Sequence, residues 1–314
     1  MKFGLFGGAR SAGEGSVGDS LGYRKYIDYV LLAETLGYHS VFVVEHHFTG
    51  VGQLSASLNF LSYLAGRTQR IRLGTAVVVL PWHNPALLAE QVATLDLLSA
   101  GRLRRGQGLS AKRVFGLLRS HREGRRALHH GQRWHFDNIV IEPRPVQQPH
   151  PPLWMGAGGF ESIKRAAQGG FNLLLDQIAP IDLIIERVAV YKGELQHLGR
   201  PYRPGMIAVA RALQIIETEV EREQAHALRT KVLRAIGDLA RGPGAGRYQN
   251  IGSHADPNLA SEDSALLGTR EEIVARLKKL EAGGVDYVLL VDPIGSPNAL
   301  STFAEGIMPA FPDR

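Results

Sequence analysis

The chain has 314 residues and no cysteine, which excludes disulfide bonds and metal sites built from thiolates. Charge of one sign is in small excess: 36 lysines and arginines against 30 aspartates and glutamates give +6, with no basic run typical of nucleic-acid binding. No stretch approaches the ~20 apolar residues of a membrane span, and the N-terminus has no extended apolar core. We therefore expect a cytoplasmic protein that binds neither nucleic acid nor a membrane.

Short apolar runs rich in β-branched residues alternate with longer segments of helical period, a pattern typical of strand–helix units around a parallel sheet. Eight strands are predicted, at residues 2–6, 40–48, 71–80, 102–108, 152–157, 171–177, 206–216 and 285–291. Eight is the number that a closed (β/α)8 barrel, the TIM barrel, requires. Because no linker divides the chain, residues 1–314 are predicted to form a single domain. A doubly wound open sheet would alternate similarly, but the glycines after the first strand lack its G-x-G-x-x-G spacing.

Helices are predicted between these strands, and several carry recognisable end signals. Asn84 is a candidate N-cap with Pro85 in the first helical position, and Gly37 is a candidate C′ residue. Residues 7–22 are interpreted as a loop, and irregular excursions are expected after strands four and seven, at 131–152 and 242–264. The predicted helices are 23–36, 56–67, 85–100, 111–128, 161–169, 181–198, 219–241 and 270–282.

Two adjacent histidines, His46 and His47, stand at the end of the second predicted strand. Side chains alternate along a strand, so His46 shares one face with Phe42, while Glu45 and His47 share the other. Reactive groups in (β/α)8 barrels come from the C-terminal strand ends, which predicts that one histidine faces the pocket. The alternative is that both are core histidines bonded to backbone carbonyls. A zinc site is disfavoured, because adjacent side chains pointing in opposite directions cannot converge on one ion.

A glycine-rich turn follows the fifth predicted strand and runs from Gly156 to Ser162 into a helix. Glycines let backbone N–H groups approach a ligand, and the helix N-terminus favours an anion. The turn is therefore a candidate phosphate site, to which Ser162 could add a hydroxyl; a simple tight turn is the alternative.

Further polar and aromatic candidates lie at other strand ends. Trp82 and His83 follow the third strand and are expected on the face of His46, where Trp82 would line a flat apolar pocket or pack beneath a lid. Asp176, Arg211 and Asp292 are candidate pocket groups, although ion pairing would explain each equally well.

Several segments of the chain, taken in sequence order, resemble the bacterial luciferase-like family of flavin-dependent monooxygenases. The resemblance covers most of the chain, and its segments are 45–48, 73–85, 89–91, 95–96, 99–102, 143–152, 268–272 and 282–286. It implies a (β/α)8 barrel that holds FMN, or in sister enzymes a deazaflavin, at its C-terminal mouth.

The resemblance also implies roles for individual residues. His46 corresponds to the family's catalytic histidine, and Thr75-Ala76 to a dipeptide with a cis bond that faces the flavin ring. Gly158, Gly159, Phe160 and Ser162 correspond to the cofactor-binding turn that holds the phosphate. No metal is implied.

Two departures from the family pattern stand after the fourth strand. Leu109 occupies the position of an Arg that contacts the flavin phosphate, for which Lys112 or Arg113 is a candidate replacement, and Gly108 replaces a reactive cysteine. The segment 108–134 is also shorter than in the family. Both features put flavin affinity in question.

The resemblance implies that reduced FMN, supplied by a separate flavin reductase, reacts with O₂ and oxygenates a small organic substrate. It also implies a homodimer, for which residues 85–100 are the candidate contact because apolar residues extend beyond one stripe of that helix. Burial of the helix within its own barrel would explain the same pattern equally well. Two alternatives remain open: deazaflavin-dependent hydride transfer on the same barrel, and a flavin-binding or structural relative that has lost turnover.

Overall fold

A computed structural model describes residues 1–48, 54–107, 127–130, 134–240, 264–292 and 294–312. These residues belong to two compact units. The N-terminal unit comprises Leu5–Gly156 and Gly169–Asn172, and the C-terminal unit comprises Met1–Gly4, Ala157–Gln168 and Leu173–Arg314. The single domain over 1–314 stays a prediction.

The N-terminal unit contains a parallel sheet with helices between its strands. Strand β2 pairs with β3, β3 with β4, and β4 with β7, all in parallel, while β5 and β6 form an antiparallel hairpin. The elements are β1 (Lys2–Gly7), α1 (Gly15–Thr35), β2 (Ser40–Val43), α2 (Ser57–Arg67), β3 (Arg72–Val78), α3 (Pro85–Leu98), β4 (Leu103–Gln107), β5 (Ala127–His130), β6 (His135–Ile139) and β7 (Leu153–Gly156).

The C-terminal unit repeats this alternation around the buried strand β9. Strand β9 pairs in parallel with β8, β10 and β11, and the first residues of β1 also belong to this unit, where the N–H of Lys2 donates to the carbonyl of Asp286. The elements are α4 (Phe160–Gly169), β8 (Asn172–Leu175), α5 (Ile181–His197), β9 (Ile207–Ile215), α6 (Glu219–Ala240), β10 (Leu266–Gly268), α7 (Arg270–Ala282), β11 (Tyr287–Val291) and α8 (Pro297–Gly306).

All eight predicted strands are present, as β1, β2, β3, β4, β7, β8, β9 and β11. The β5–β6 hairpin is a correction, because it pairs Ala127 with Ile139 where a helix end and an irregular excursion are predicted. Strand β10 and helix α8 are not predicted by the sequence pattern. Most of the predicted helix 111–128 and of the excursion 242–264 lies outside the described residues. Of the described helices, none is both long enough and apolar enough to cross a bilayer.

Helix α1 begins at Gly15 rather than at Tyr23, so part of the predicted loop 7–22 is helical. The reason is close packing of glycines. A Cβ atom at Gly22 would collide with the carbonyl oxygen of Arg10, and one at Gly18 would collide with the backbone of Gly13. These glycines let the helix lie directly on the preceding chain, a role that composition does not distinguish from loop formation.

The predicted helix ends are confirmed where side chains form them. The Asn84 side chain accepts the N–H groups of Ala86 and Leu87 at 3.0 and 3.3 Å, and Pro85 occupies the first helical position. Gly37 follows α1 with φ +85°, as a C′ glycine does. These caps fix where α1 ends and where α3 begins.

Arg102 joins three segments of the N-terminal unit. Its guanidinium donates to the carbonyls of Ala65, Ile71 and Thr68 at 2.9, 3.0 and 3.0 Å, and to the Thr68 hydroxyl at 2.8 Å. Its Nε donates to the Ser99 carbonyl at 2.9 Å. One side chain thereby ties the end of α2, the start of β3 and the end of α3.

Replacing Arg102 with Ala should lower the free energy of unfolding by about 3 kcal/mol, because it leaves partly buried carbonyls without a donor. Arg102→Lys should recover only a small part, since one ammonium cannot reproduce the guanidinium fork. Urea denaturation followed by circular dichroism measures the difference. The exposed Arg67, at the end of α2, serves as the control; equal losses in Arg102→Ala and Arg67→Ala would contradict this role.

Candidate functional site

Residues 45–48 and 79–83 follow the C-terminal ends of two neighbouring parallel strands, β2 and β3. The register places Val43 beside Thr75, so the chain segments that continue from both strands emerge side by side. C-terminal strand ends are where barrel proteins place their chemistry. Three imidazoles lie in this region: those of His46, His47 and His83.

Glu45 connects this region through a buried carboxylate. The residue is 5% exposed. Its Oε1 accepts hydrogen bonds from Nε2 of His47 at 3.2 Å, Nε2 of His83 at 3.1 Å and the N–H of Val79 at 3.0 Å. Its Oε2 accepts from the Ser57 hydroxyl at the start of α2.

The hydrogen bonds determine the charge of Glu45. Burial by itself raises the pKa of the carboxyl group, but the bonds from His83, Ser57, the Val79 N–H and His47 outweigh it and hold the pKa at about 2. Glu45 is therefore ionised at neutral pH. A buried anion with all of its donors in place organises the surrounding chain.

The ring of His46, unlike the rings of His47 and His83, forms no hydrogen bond with Glu45. The backbone N–H of His46 donates to the Leu54 carbonyl at 2.9 Å, and the residue is exposed. Partial burial of the ring lowers the pKa of His46, and the positive charge of Arg10 lowers it further. The imidazole is thus neutral at pH 7 and available to accept a proton.

Trp82 and His83 follow β3 at the end of the sheet where His46 follows β2, and their contacts there are with Glu45, His47 and Phe48. His83 bonds to Glu45, and the Trp82 ring lies 5.9 Å from the His47 ring and 5.3 Å from the Phe48 ring, so both residues lie with Glu45 and His47. The physical reason is the 3₁₀ turn Leu80–Trp82, which ends strand alternation before these residues. Phe48 and Trp82 are 87% and 63% exposed and form an aromatic surface.

The expected cis peptide bond lies one residue later than predicted. It joins Ala76 and Val77, not Thr75 and Ala76. The register between β3 and β4 shifts between Thr75 and Val78, which centres the irregularity of β3 on Ala76-Val77. Thr75 itself is fully buried within the regular ladder.

In the C-terminal unit, the predicted turn leads into the N-terminus of α4. Gly158 lies against an ion pair, and a Cβ atom there would be 3.4 Å from Nη2 of Arg187 and 3.5 Å from Oδ2 of Asp176. Ser162 is half-buried, and its hydroxyl donates to the Gly159 carbonyl at 2.6 Å, whereas Phe160 is 45% exposed. The glycine-rich turn therefore leads directly into the N-terminus of α4, as the sequence predicts.

These residues fit a phosphate group. The first N–H groups of a helix have no intrahelical partner, and the helix dipole adds positive potential at α4. Arg187, only 3% exposed, adds a cation behind Gly158, and its Nε has no hydrogen-bond partner among the described residues. Glu161 in the first turn opposes this potential in part. Arg187 cannot be recognised from the sequence, because a single arginine in a helix forms no pattern.

The other candidate polar groups have structural partners. Asp176 accepts from Nη1 of Arg187 at 2.7 Å, and although burial raises its pKa, the charge of Arg187 and two backbone N–H groups lower it below the ordinary value. Arg211 donates to the carbonyls of Asp176 and Ala179. Asp292 accepts three backbone N–H groups of its own loop, at Ile294, Gly295 and Ser296. Gly108, Leu109, Lys112 and Arg113 lie outside the described residues.

Comparison with known proteins identifies the family. The luciferase-like monooxygenase family model matches residues 1–128 and 112–287. The chain belongs to the luciferase-like monooxygenase family. The resemblance seen in the sequence is therefore confirmed, and with it the luciferase-like (β/α)8 barrel.

Individual relatives support the same conclusion. The chain is 26% identical, over 92% of its length and 90% of the relative's, to the oxygenase component of flavin-dependent trigonelline monooxygenase from Acinetobacter baylyi. The crystal structure of monooxygenase RslO1 from Streptomyces bottropensis superposes with a TM-score of 0.79, at 24% identity, over 99% of this chain and 100% of that one. An F420-dependent secondary alcohol dehydrogenase superposes with a TM-score of 0.76, at 16% identity, over 100% and 99%.

Glu45 should make the free energy of unfolding depend on pH in the acid range. Its pKa is lowered from 4.5 to about 2, so its contribution is complete above pH 4.5 and is lost as the pH falls toward 2. Glu45→Gln should remove about 3 kcal/mol of that pH dependence. Urea unfolding of both proteins between pH 2 and 6 measures it. Parallel curves for the wild type and Glu45→Gln would contradict the ionised, hydrogen-bonded carboxylate.

Proposed function

We propose that this protein is the oxygenase component of a two-component FMN-dependent monooxygenase that acts on a small organic substrate and O₂. The observation that carries the proposal is the arrangement at the ends of β2 and β3, where His46 alone of three imidazoles is not bonded to Glu45. Membership of a monooxygenase family supports it. A relative described as an oxygenase component supports a separate flavin reductase as partner.

Reduced FMN would supply the electrons and the activation of O₂, which no amino-acid side chain provides. The protein's own contribution is to bind, orient and move protons. The imidazole of His46 would accept or donate a proton at a ring nitrogen, because an imidazole can do both. Thr75 and Ala76 would place the backbone of β3 against the flavin ring, and exclusion of water would limit side reactions.

The phosphate would be held in the C-terminal unit. We assign it to the backbone N–H groups of Gly158, Gly159 and Phe160, with the Ser162 hydroxyl as a further donor once it turns from the Gly159 carbonyl to the phosphate. Among the described residues, Arg187 lies behind Gly158 and would provide positive charge for the phosphate. Leu109 cannot supply the charge of the arginine that the family has at that position.

We also propose a homodimer through α3 and a cytoplasmic location. Helix α3 buries one face and still exposes leucines on another: Leu87, Leu97 and Leu98 are 53%, 44% and 60% exposed. Tyr63 on α2 is 50% exposed as well. An apolar surface of this kind is typical of a protein–protein contact.

Deazaflavin-dependent hydride transfer is the second candidate, favoured by the likeness of the fold to the F420-dependent alcohol dehydrogenase. A comparison of the dissociation constants for FMN and F420 separates the two. Preference for F420 without O₂ consumption would favour hydride transfer. Failure to bind either flavin would favour the third hypothesis, a relative without turnover.

Replacing His46 with Gln should slow the reoxidation of protein-bound reduced FMN by O₂ about 10²-fold, because a proton donor and acceptor is lost. The dissociation constant for FMN should change little. Rapid mixing of the reduced complex with aerated buffer gives the rate, and released H₂O₂ is assayed in parallel. His197→Gln, exposed at the end of α5, is the control. An unchanged rate in His46→Gln would remove His46 from the mechanism.

Ser162→Asp tests the phosphate site without weakening the helix. An aspartate in the first turn of α4 stabilises the helix through its interaction with the helix dipole, but it repels a phosphate. The affinity for FMN should fall about tenfold, whereas the affinity for riboflavin, which lacks the phosphate, should stay constant. Fluorescence titration with both flavins measures the ratio, and Ser162→Ala is the uncharged control. Equal losses for the two flavins would place the phosphate elsewhere.

A further inference from the structure

Glu45 holds two imidazoles with one oxygen atom. Nε2 of His47 lies 3.2 Å from Oε1, and Nε2 of His83 lies 3.1 Å from the same atom. An ionised carboxylate only accepts hydrogen bonds, so both Nε2 atoms must carry hydrogen. The geometry therefore determines the tautomer of two histidines on two different chain segments.

The same carboxylate joins these segments to the rest of the N-terminal unit. It accepts the N–H of Val79 after β3 and the Ser57 hydroxyl at the start of α2. The Glu45 side chain is 1% exposed, whereas those of His47 and His83 are 22% and 26% exposed. The two imidazoles thus cover the charge from solvent.

His46 differs from the other two histidines in its contacts. No described residue forms a hydrogen bond with its ring nitrogens, although its backbone N–H is bonded to Leu54. Arg10 is the charged group outside the Glu45 cluster that acts on it. Its imidazole is therefore the one whose ring nitrogens are not committed to the carboxylate.

We propose that Glu45 is a positioning residue that fixes His47 and His83 as Nε2–H donors and thereby leaves proton transfer to His46. Withdrawing hydrogen from Nε2 of His47 or His83 would leave a buried carboxylate with one donor fewer, which is costly in a low-dielectric surrounding. No such cost applies to His46. The second half of the proposal depends on the proposed oxygenation, while the first half is a property of the protein without flavin.

The tautomers can be observed directly. In protein labelled with ¹⁵N-histidine, long-range ¹H–¹⁵N spectra show which ring nitrogen carries hydrogen. His47→Gln and His83→Gln assign the two sets of signals among the 12 histidines. The wild type without flavin should show hydrogen on Nε2 of both. Hydrogen on Nδ1 with Nε2 bare, at either residue, would overturn the proposal without requiring any variant of Glu45.

Three variants separate positioning from general stabilisation. Glu45→Met removes the acceptor, so the signals of both imidazoles should change. Glu45→Gln should preserve them, because its amide oxygen still accepts from both rings and the Ser57 hydroxyl can accept from its NH₂ group. Ser57→Ala removes a bond to the other oxygen and should also preserve them. Unchanged imidazole signals in folded Glu45→Met would overturn the proposal.

The reaction provides an independent readout. With bound reduced FMN, Glu45→Met should lower the rate of O₂ consumption about 10²-fold at an almost constant dissociation constant, because misplacement of reacting groups affects the reaction more than binding. Glu45→Gln should restore most of the rate. If the wild type itself fails to react with O₂, the oxygenase assignment is wrong, while the spectra still decide the role of Glu45.

Discussion

A buried carboxylate organises the ends of β2 and β3. Glu45 is removed from water and remains ionised because an N–H group, a hydroxyl and two imidazoles donate to it. Burying a charge without such donors would cost several kcal/mol, so the segments that supply them are constrained together. The positions of His47, His83 and the start of α2 depend on this constraint.

Much of the fold could be predicted from the sequence, because the period of apolar residues and the end signals are local. Asn84, Pro85 and Gly37 predict helix ends from their own chemistry, and the structure has these ends. The strands of the barrel follow from β-branched runs. Helix α1 starts earlier than predicted because Gly18 and Gly22 serve close packing, and packing partners are not local information. The β5–β6 hairpin depends on pairing between segments and could not be recognised from either one alone.

The candidate site was only partly predictable for the same reason. Alternation predicts that Glu45 and His47 lie on one side of the chain, and the hydrogen bond between them confirms it. The partnership with His83 and Ser57 joins residues far apart in sequence and follows no motif. The contact of Arg187 with Gly158 likewise follows no motif, since Arg187 belongs to a helix that shows only an amphipathic pattern. The cis bond lies one residue later than the resemblance implies, because the motif identifies the strand but not the point where the register of the strand shifts.

A crystal structure of the protein with bound FMN tests the central claim most directly. We expect the flavin ring to lie in contact with the imidazole of His46, while His47 and His83 keep their bonds to Glu45. A flavin bound elsewhere, or a His46 ring turned away from it, would contradict the proposed role of His46.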